Sequence, residues 1–284
     1  MRKVIITVAL SGGLQSSDVA PYMPEQPEEI AQSAYECYQA GASVVHIHAR
    51  DKEGNVSADP AIHREINKLV RERCGDIIIN NSTGVGPGYS FEERMGVLEA
   101  MPDAASFNMG TMIRTKFMPG SLFLNTQAQL EEMAAVMTQK GIKPEMEVFS
   151  QYMIIEAKHL IAKGLVKPPY WFNIVMGSSN MGTLPGTVDN LISMYQYLKD
   201  IPDAVITVTG IGHTQIPMTT MGCIMGGHMR VGMEDNLYLS KGVLATKNVQ
   251  FVTRTVEMIK SLQLEVATVQ EAREMLGIEK VAMF

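Results

Sequence analysis

Val44-Val45-His46-Ile47-His48-Ala49-Arg50 reads as a short β-strand that carries two imidazoles. Its β-branched residues favour an extended backbone. Side chains two apart on a strand point to the same face, so His46 and His48 look the same way. An apolar strand gains nothing from desolvating two adjacent imidazoles. One inward histidine would be structural, but two at this spacing point to a metal, because neutral imidazole is a common zinc ligand.

Seven similar runs accompany this one. Together the eight cover roughly 3–10, 43–49, 76–81, 104–109, 145–149, 171–176, 204–210 and 228–233. Segments with helical periodicity separate them. Pro27-Glu28-Glu29-Ile30 places acids in a first helical turn. Asp59-Pro60 pairs an N-cap with a proline suited to the first helical position. Ser90-Phe91-Glu92-Glu93 has the spacing of a capping box. Residues 125–140 and 151–163 read as further helices. Strand and helix alternating eight times is the pattern of a (β/α)8 TIM barrel, and 284 residues suit one such α/β domain spanning 1–284. A doubly wound sheet shares the strand count; the barrel is the favoured reading. The tail beyond about Lys241 is expected to add C-terminal helices outside the barrel, the last near Val269–Gly277.

Composition limits the function classes. Hydrophobic residues make up 46% of the chain, charged residues 19%, and the net charge is -6. That balance argues against a general binder of nucleic acid or membrane surface. Cys37, Cys74 and Cys223 are odd in number and widely spaced, as expected of free thiols in a reducing compartment. The first residues run straight into a strand without a signal-peptide pattern, and no run is apolar enough to span a bilayer. A soluble cytoplasmic protein is expected.

Barrel enzymes build their sites at the C-terminal strand ends. In this chain those ends carry His46 and His48, Asn80 to Gly84, Ser106 and Asn108, Glu145 and Glu147, Asn173, Thr209, and Arg230 with Glu234 and Asp235. The eighth strand should lie roughly 10 Å from the second, across the first, at ~4.8 Å per strand. Arg230, Gly232 and Glu234 alternate and share a face, which makes Glu234 a natural third metal ligand beside His46 and His48. Two imidazoles and one carboxylate would leave coordination positions open for chemistry.

Plainer readings stand beside these. Glu145 and Glu147 could be core acids paired with Lys143 or Arg230. Ser82-Thr83-Gly84 could be only a turn. His63 and His159 fall on expected helices and read as surface residues. Thr209-Gly210-Ile211-Gly212 is too short for a dinucleotide fingerprint. The Met-rich stretch 218–229 reads mostly as core packing, with some methionines available to a pocket.

These segments together resemble the β-keto acid cleavage enzyme family over nearly the whole chain. The resemblance rests on Ile6-Thr7-Val8-Ala9-Leu10-Ser11-Gly12, Val45-His46-Ile47-His48-Ala49-Arg50 and Asn81-Ser82-Thr83-Gly84. It rests also on Ser106-Phe107-Asn108-Met109-Gly110, Lys143 to Phe149, and the run Gly226 to Asn236. It implies a zinc enzyme, a homo-oligomer with a tetramer favoured, that turns a β-keto acid and acetyl-CoA into acetoacetate and an acyl-CoA. It implies zinc on His46, His48 and Glu234. It also implies catalytic roles for Ser82, Arg230, Asp235 and one acid of the fifth strand, with Glu147 preferred to Glu145. On that model Asp235, held by Arg230, removes a C2 proton from a keto acid chelated by zinc. Thr83, Gly84, Ser106 and Asn108 would hold the substrate carboxylate and developing oxyanions.

One departure bears on the substrate. Relatives that act on an amino-substituted keto acid carry a glutamate in the loop after the first strand, where this chain has Leu14. Leucine cannot pair with an ammonium. The distal end of the substrate is therefore expected not to be a primary amine, and Leu14, Tyr22 and Met23 suggest a neutral or apolar tail. The rival readings are a zinc-dependent aldolase or lyase, or a hydrolase, on the same barrel without CoA. No nucleic-acid or membrane partner is expected.

Overall fold

The eight β-type runs become eight parallel strands that close into a barrel. This is a computed structural model, and it describes residues 1–14, 19–115, 119–178 and 181–279. In chain order the repeats are β1 (Ile6–Ala9) and α1 (Pro27–Ala40), β2 (Val44–Ile47) and α2 (Pro60–Cys74), then β3 (Ile78–Ser82) and α3 (Phe91–Gly96). Next come β4 (Ala104–Asn108) and α4 (Gln127–Lys140), then β5 (Lys143–Val148) and α5 (Gln151–Ala162). The circle ends with β6 (Tyr170–Met176) and α6 (Val188–Leu198), β7 (Ala204–Gly210) and α7 (Gln215–Ile224), and β8 (His228–Val231) and α8 (Val249–Ser261). β8 pairs with β1, and β1 with β2, so closure excludes the open doubly wound sheet.

The helix starts follow their local chemistry. The Asp59 carboxylate accepts from the Ala61 backbone N–H at 2.8 Å, with Pro60 at the first helical position. The Ser90 hydroxyl and the Glu93 carboxylate exchange bonds with each other's backbone N–H in the expected capping box. The first β-type run divides, however. Lys3–Val4 leaves the barrel to pair with Glu265–Val266, where Lys3 meets Glu265 at 2.7 Å and Glu271 at 3.0 Å.

Of the two tail helices, α8 completes the eighth repeat and α9 (Val269–Leu276) is the extra one. Ala272 and Leu276 of α9 pack with Ile5, Val44, Ile78, Ala104 and Trp171, and so close the N-terminal end of the barrel with apolar side chains. Polar residues occupy the opposite end. The barrel therefore has a dry floor and a wet, charged mouth, the division expected of this fold.

Two further buried histidines do not line the cavity at that mouth. His63 is a correction to the expected surface position: α2 turns it inward, and it is 1% exposed. The Ser57 backbone faces it, yet neither ring nitrogen makes a hydrogen bond of normal geometry. His228 accepts the Ile5 backbone N–H through Nδ1 at 3.0 Å. Burial lowers the pKa of each to about 4. The unfolded chain then binds protons at these sites below about pH 6.5 while the folded chain does not. Their contribution to stability is complete above pH 6.5 and is lost as pH falls towards 4. His228→Asn, which keeps an acceptor for Ile5, should flatten part of that loss. Urea melts of both proteins at pH 7 and pH 5 test this; equal losses in both would remove His228 from the account.

Candidate active site

Strand register brings the candidate residues together. His46 lies beside Asn80, Ser82 beside Ser106, and Asn108 beside Glu147, which neighbours Asn173. Arg230 sits between Thr209 and Thr7. After β8 the chain turns at Gly232, whose φ of +140° favours glycine. A Cβ there would lie 2.2 Å from the Ala9 carbonyl oxygen, so only glycine lets this turn pack on β1 and bring Glu234 to the histidines.

Ligand atoms of His46, His48 and Glu234 all lie within 4.8 Å of one another, the metal-type grouping found among the described residues. His46 Nε2 is 3.4 Å from Glu234 Oε2, and His48 Nε2 is 3.2 Å from Glu234 Oε1. His48 Nδ1 lies 3.3 Å from the Val85 carbonyl oxygen. A carbonyl only accepts, so Nδ1 carries a proton, and Nε2 is the ring atom left to face the carboxylate and to ligate a metal. Burial, then the nearby Arg230 charge, keeps His46 neutral. Burial opposes ionisation of Glu234, but the Arg230 guanidinium beside it helps hold that carboxyl well below its usual range. Ligand atoms at this separation fit a shared cation. Two ligands of a tetrahedral zinc, each about 2.1 Å from it, stand roughly 3.4 Å apart.

Val85, which orients His48, has a φ of 24°, an uncommon value for a β-branched residue. Gly13 presses on the same pair. A Cβ there would meet the Val85 oxygen at 2.2 Å and the His48 ring at 2.9 Å. Gly13→Ala should therefore displace the imidazole and lower bound metal and turnover at least about tenfold, as loss of an outer-shell partner does. Metal content and kcat report it together; full metal and full rate would show that His48 does not depend on Gly13.

Arg230 organises the acids. Its Nε donates to Asp235 Oδ2 at 3.0 Å and its Nη2 to Asp235 Oδ1 at 3.1 Å, a bidentate pair. Its Nη1 donates to Glu147 Oε1 at 3.0 Å, and its Nη2 also lies 3.2 Å from Glu234 Oε1. Asn108 donates to Glu147 Oε2 at 2.9 Å. Burial raises the carboxyls of Glu147 and Asp235, while Arg230 pulls both back towards ionisation. Glu145 lies deeper, bonded to Asn80, and burial followed by the Glu147 charge raises it further. Of the two acids, Glu147 lines the cavity above the site and Glu145 does not. Lys143 pairs with neither; its Nζ donates to the Lys167 carbonyl.

That cavity measures about 310 Å³ and is lined by His46, His48, Ser82, Gly84, Asn108, Glu147, Arg230, Glu234, Asp235 and Leu14. Thr83 and Ser106 sit behind its wall, where Thr83 Oγ1 donates to the Ser106 carbonyl at 2.7 Å. Ser106 Oγ lies 3.3 Å from Ser82 Oγ, so it supports the wall from behind. Tyr22 and Met23 do not line the cavity, nor do the methionines of 218–229. Met23 is spent on the Gly12 N–H, and Met218 and Met229 are core. Sequence reasoning missed Arg114, Phe123, Phe149 and Met181, which do line it. Arg114 carried a usable signal, a cation shortly after a strand end.

The model of the β-keto acid cleavage enzyme family matches residues 3–278. The chain belongs to that family. Membership makes it an enzyme that cleaves β-keto acids. The 3-keto-5-aminohexanoate cleavage enzyme of Acetoanaerobium sticklandii is 38% identical over 281 residues, covering 99% of this chain and 100% of its own. The 3,5-dioxohexanoate:acetyl-CoA acetone transferase of Paraburkholderia graminis is 31% identical over 305 residues, covering 99% and 97%. Among solved structures, ObcA in a ternary complex with a C4-CoA adduct and oxalate shares the fold at a TM-score of 0.76 and 20% identity, covering 90% of this chain and 68% of its own. No helix of the described residues is long and apolar enough to cross a membrane.

Proposed function

We propose that this chain transfers an acyl group: it converts a β-keto acid and acetyl-CoA into acetoacetate and an acyl-CoA, with zinc held by His46, His48 and Glu234. The observation that carries this reading is Asp235. It shares one cavity with the histidine–carboxylate trio and is fixed there by two bonds from Arg230. A storage site has no use for a held carboxylate beside the metal, whereas enolate chemistry needs one.

When bound, the divalent ion supplies Lewis acidity to the keto and carboxylate oxygens of the substrate. Asp235 takes the C2 proton. The resulting carbanion attacks the acetyl carbonyl of acetyl-CoA and CoA thiolate leaves. The thiolate then attacks the original keto carbon, the C2–C3 bond breaks, and Asp235 returns its proton to C2. Arg230 keeps Asp235 oriented throughout. Ser82 Oγ–H, the Gly84 region and Asn108 offer polar contacts to the substrate carboxylate and to oxygens that gain charge. Glu147 anchors the far side of Arg230.

Leu14 on the cavity wall supports a distal group that is not a primary ammonium. A panel of β-keto acids with acetyl-CoA, read by acetoacetate release, tests both parts. We expect strict dependence on acetyl-CoA and a 5-amino substrate at least about tenfold poorer than an unsubstituted one. Cleavage without acetyl-CoA would favour an aldolase. A clear preference for the amine would refute the Leu14 argument.

A further inference from the structure

Arg114 lines the same cavity and is a cation the proposed chemistry does not use. After β4 the chain forms a short hairpin in which Met112–Ile113 pairs with Leu122–Phe123, and Arg114 follows its first arm. Its backbone is fixed from both sides: its N–H donates to the Ser121 carbonyl and its carbonyl accepts from Gly120, each at 2.9 Å. The residue is 6% exposed, and its guanidinium lies 5.6 Å from the centroid of Phe123. Arg94 covers the same ring at 4.4 Å, but donates to Asn125 Oδ1 and the Leu124 carbonyl. Among the described residues, nothing accepts a hydrogen bond from the Arg114 guanidinium and no carboxylate pairs with it.

The other charges of the cavity are already matched. Glu147, Glu234 and Asp235 all pair with Arg230. A guanidinium kept from water beside a ring and without a counter-charge is costly, and an anionic group entering the cavity would relieve it. Guanidinium geometry suits a carboxylate held by two parallel bonds. The same cavity wall also carries the apolar side chains of Leu14, Phe149, Val175 and Met181.

We propose that Arg114 receives a carboxylate at the distal end of the substrate, so that the preferred substrate is a β-keto dicarboxylic acid. This rests on the keto-acid reading above and narrows its substrate class. It replaces the neutral tail expected from Leu14 alone with an apolar middle that ends in an anion. The phosphates of CoA are the other available anions. They lie a long pantetheine arm away from the thioester, whereas Arg114 is buried in a cavity of about 310 Å³.

The test compares 3-oxoadipate with 3-oxohexanoate, which has the same chain length but no distal carboxylate. We expect wild-type kcat/KM to favour the diacid at least about 100-fold, as for a desolvated bidentate pair. Arg114→Met should cut that ratio at least 50-fold with the KM for acetyl-CoA unchanged. Arg114→Lys, which keeps the charge without the fork, should cut it about tenfold, and it carries the test if the Met variant does not fold. Calorimetric binding of both acids without acetyl-CoA gives a second readout. Arg114-dependent binding of the diacid without acetoacetate formation would sink the transferase reading and leave this one standing. Equal use of both acids by the wild type would overturn this one and leave the transferase reading intact. A variant that raises the KM for acetyl-CoA equally with either acid would assign Arg114 to CoA phosphate and also overturn it.

Discussion

Asp235→Asn should lower kcat by about 10³-fold while bound metal stays stoichiometric. The amide is isosteric with the carboxylate, so the cavity keeps its shape. It cannot take a proton from carbon, and general-base assistance is typically worth 10²–10⁴-fold. Arg230 would lose a charged partner but retain Glu147 and Glu234, so it should stay in place. Exchange of the C2 hydrogen of the keto acid with deuterated water isolates the proposed step. In the wild type it should proceed without acetyl-CoA, and in the variant it should fall in step with kcat. Loss of turnover with normal exchange would move Asp235 from the base role to a later step. Near-normal turnover would end the assignment.

Much of the fold was legible because its signals are local. Strand runs, Asp59-Pro60 and the Ser90 capping box depend on neighbours in sequence; the two helix starts formed as read, and so did the strand runs apart from the first, which divides. The trio of His46, His48 and Glu234 was legible because a closed barrel fixes which strands neighbour which, and alternation fixes facing. Depth along a strand was harder. Glu145 and Glu147 share a face and differ by one step, and only register shows that the second reaches the cavity and the first lies beneath it. Thr83 and Ser106 failed as cavity residues for the related reason that their hydroxyls were claimed by the wall itself. His63 misled because helical spacing says which residues share a face, not which face is covered. Arg114 and Phe123 come from a hairpin beyond a strand end, and loop placement leaves no period to read.

Glu234→Gln should remove the metal, and with it the activity. Glu234 is the single carboxylate of the trio, and its charge would balance a divalent ion held beside two imidazoles and Arg230. An amide keeps the shape but carries no charge, and its nitrogen cannot coordinate. Outer-shell partners alone are worth about 10–100-fold in affinity, so loss of a direct ligand should weaken binding by at least about 100-fold. The predicted sign for stability follows from mass action. A chain saturated at 100 times Kd gains about 2.7 kcal/mol on folding, so chelator should lower the melting midpoint of the wild type and leave Glu234→Gln unmoved. Zinc added in excess should restore part of the variant's rate, because the imidazoles and the cavity remain. Elemental analysis alongside chelator melts decides the matter. A variant that retained one metal per chain would take Glu234 out of the ligand set and leave His46 and His48 needing another partner.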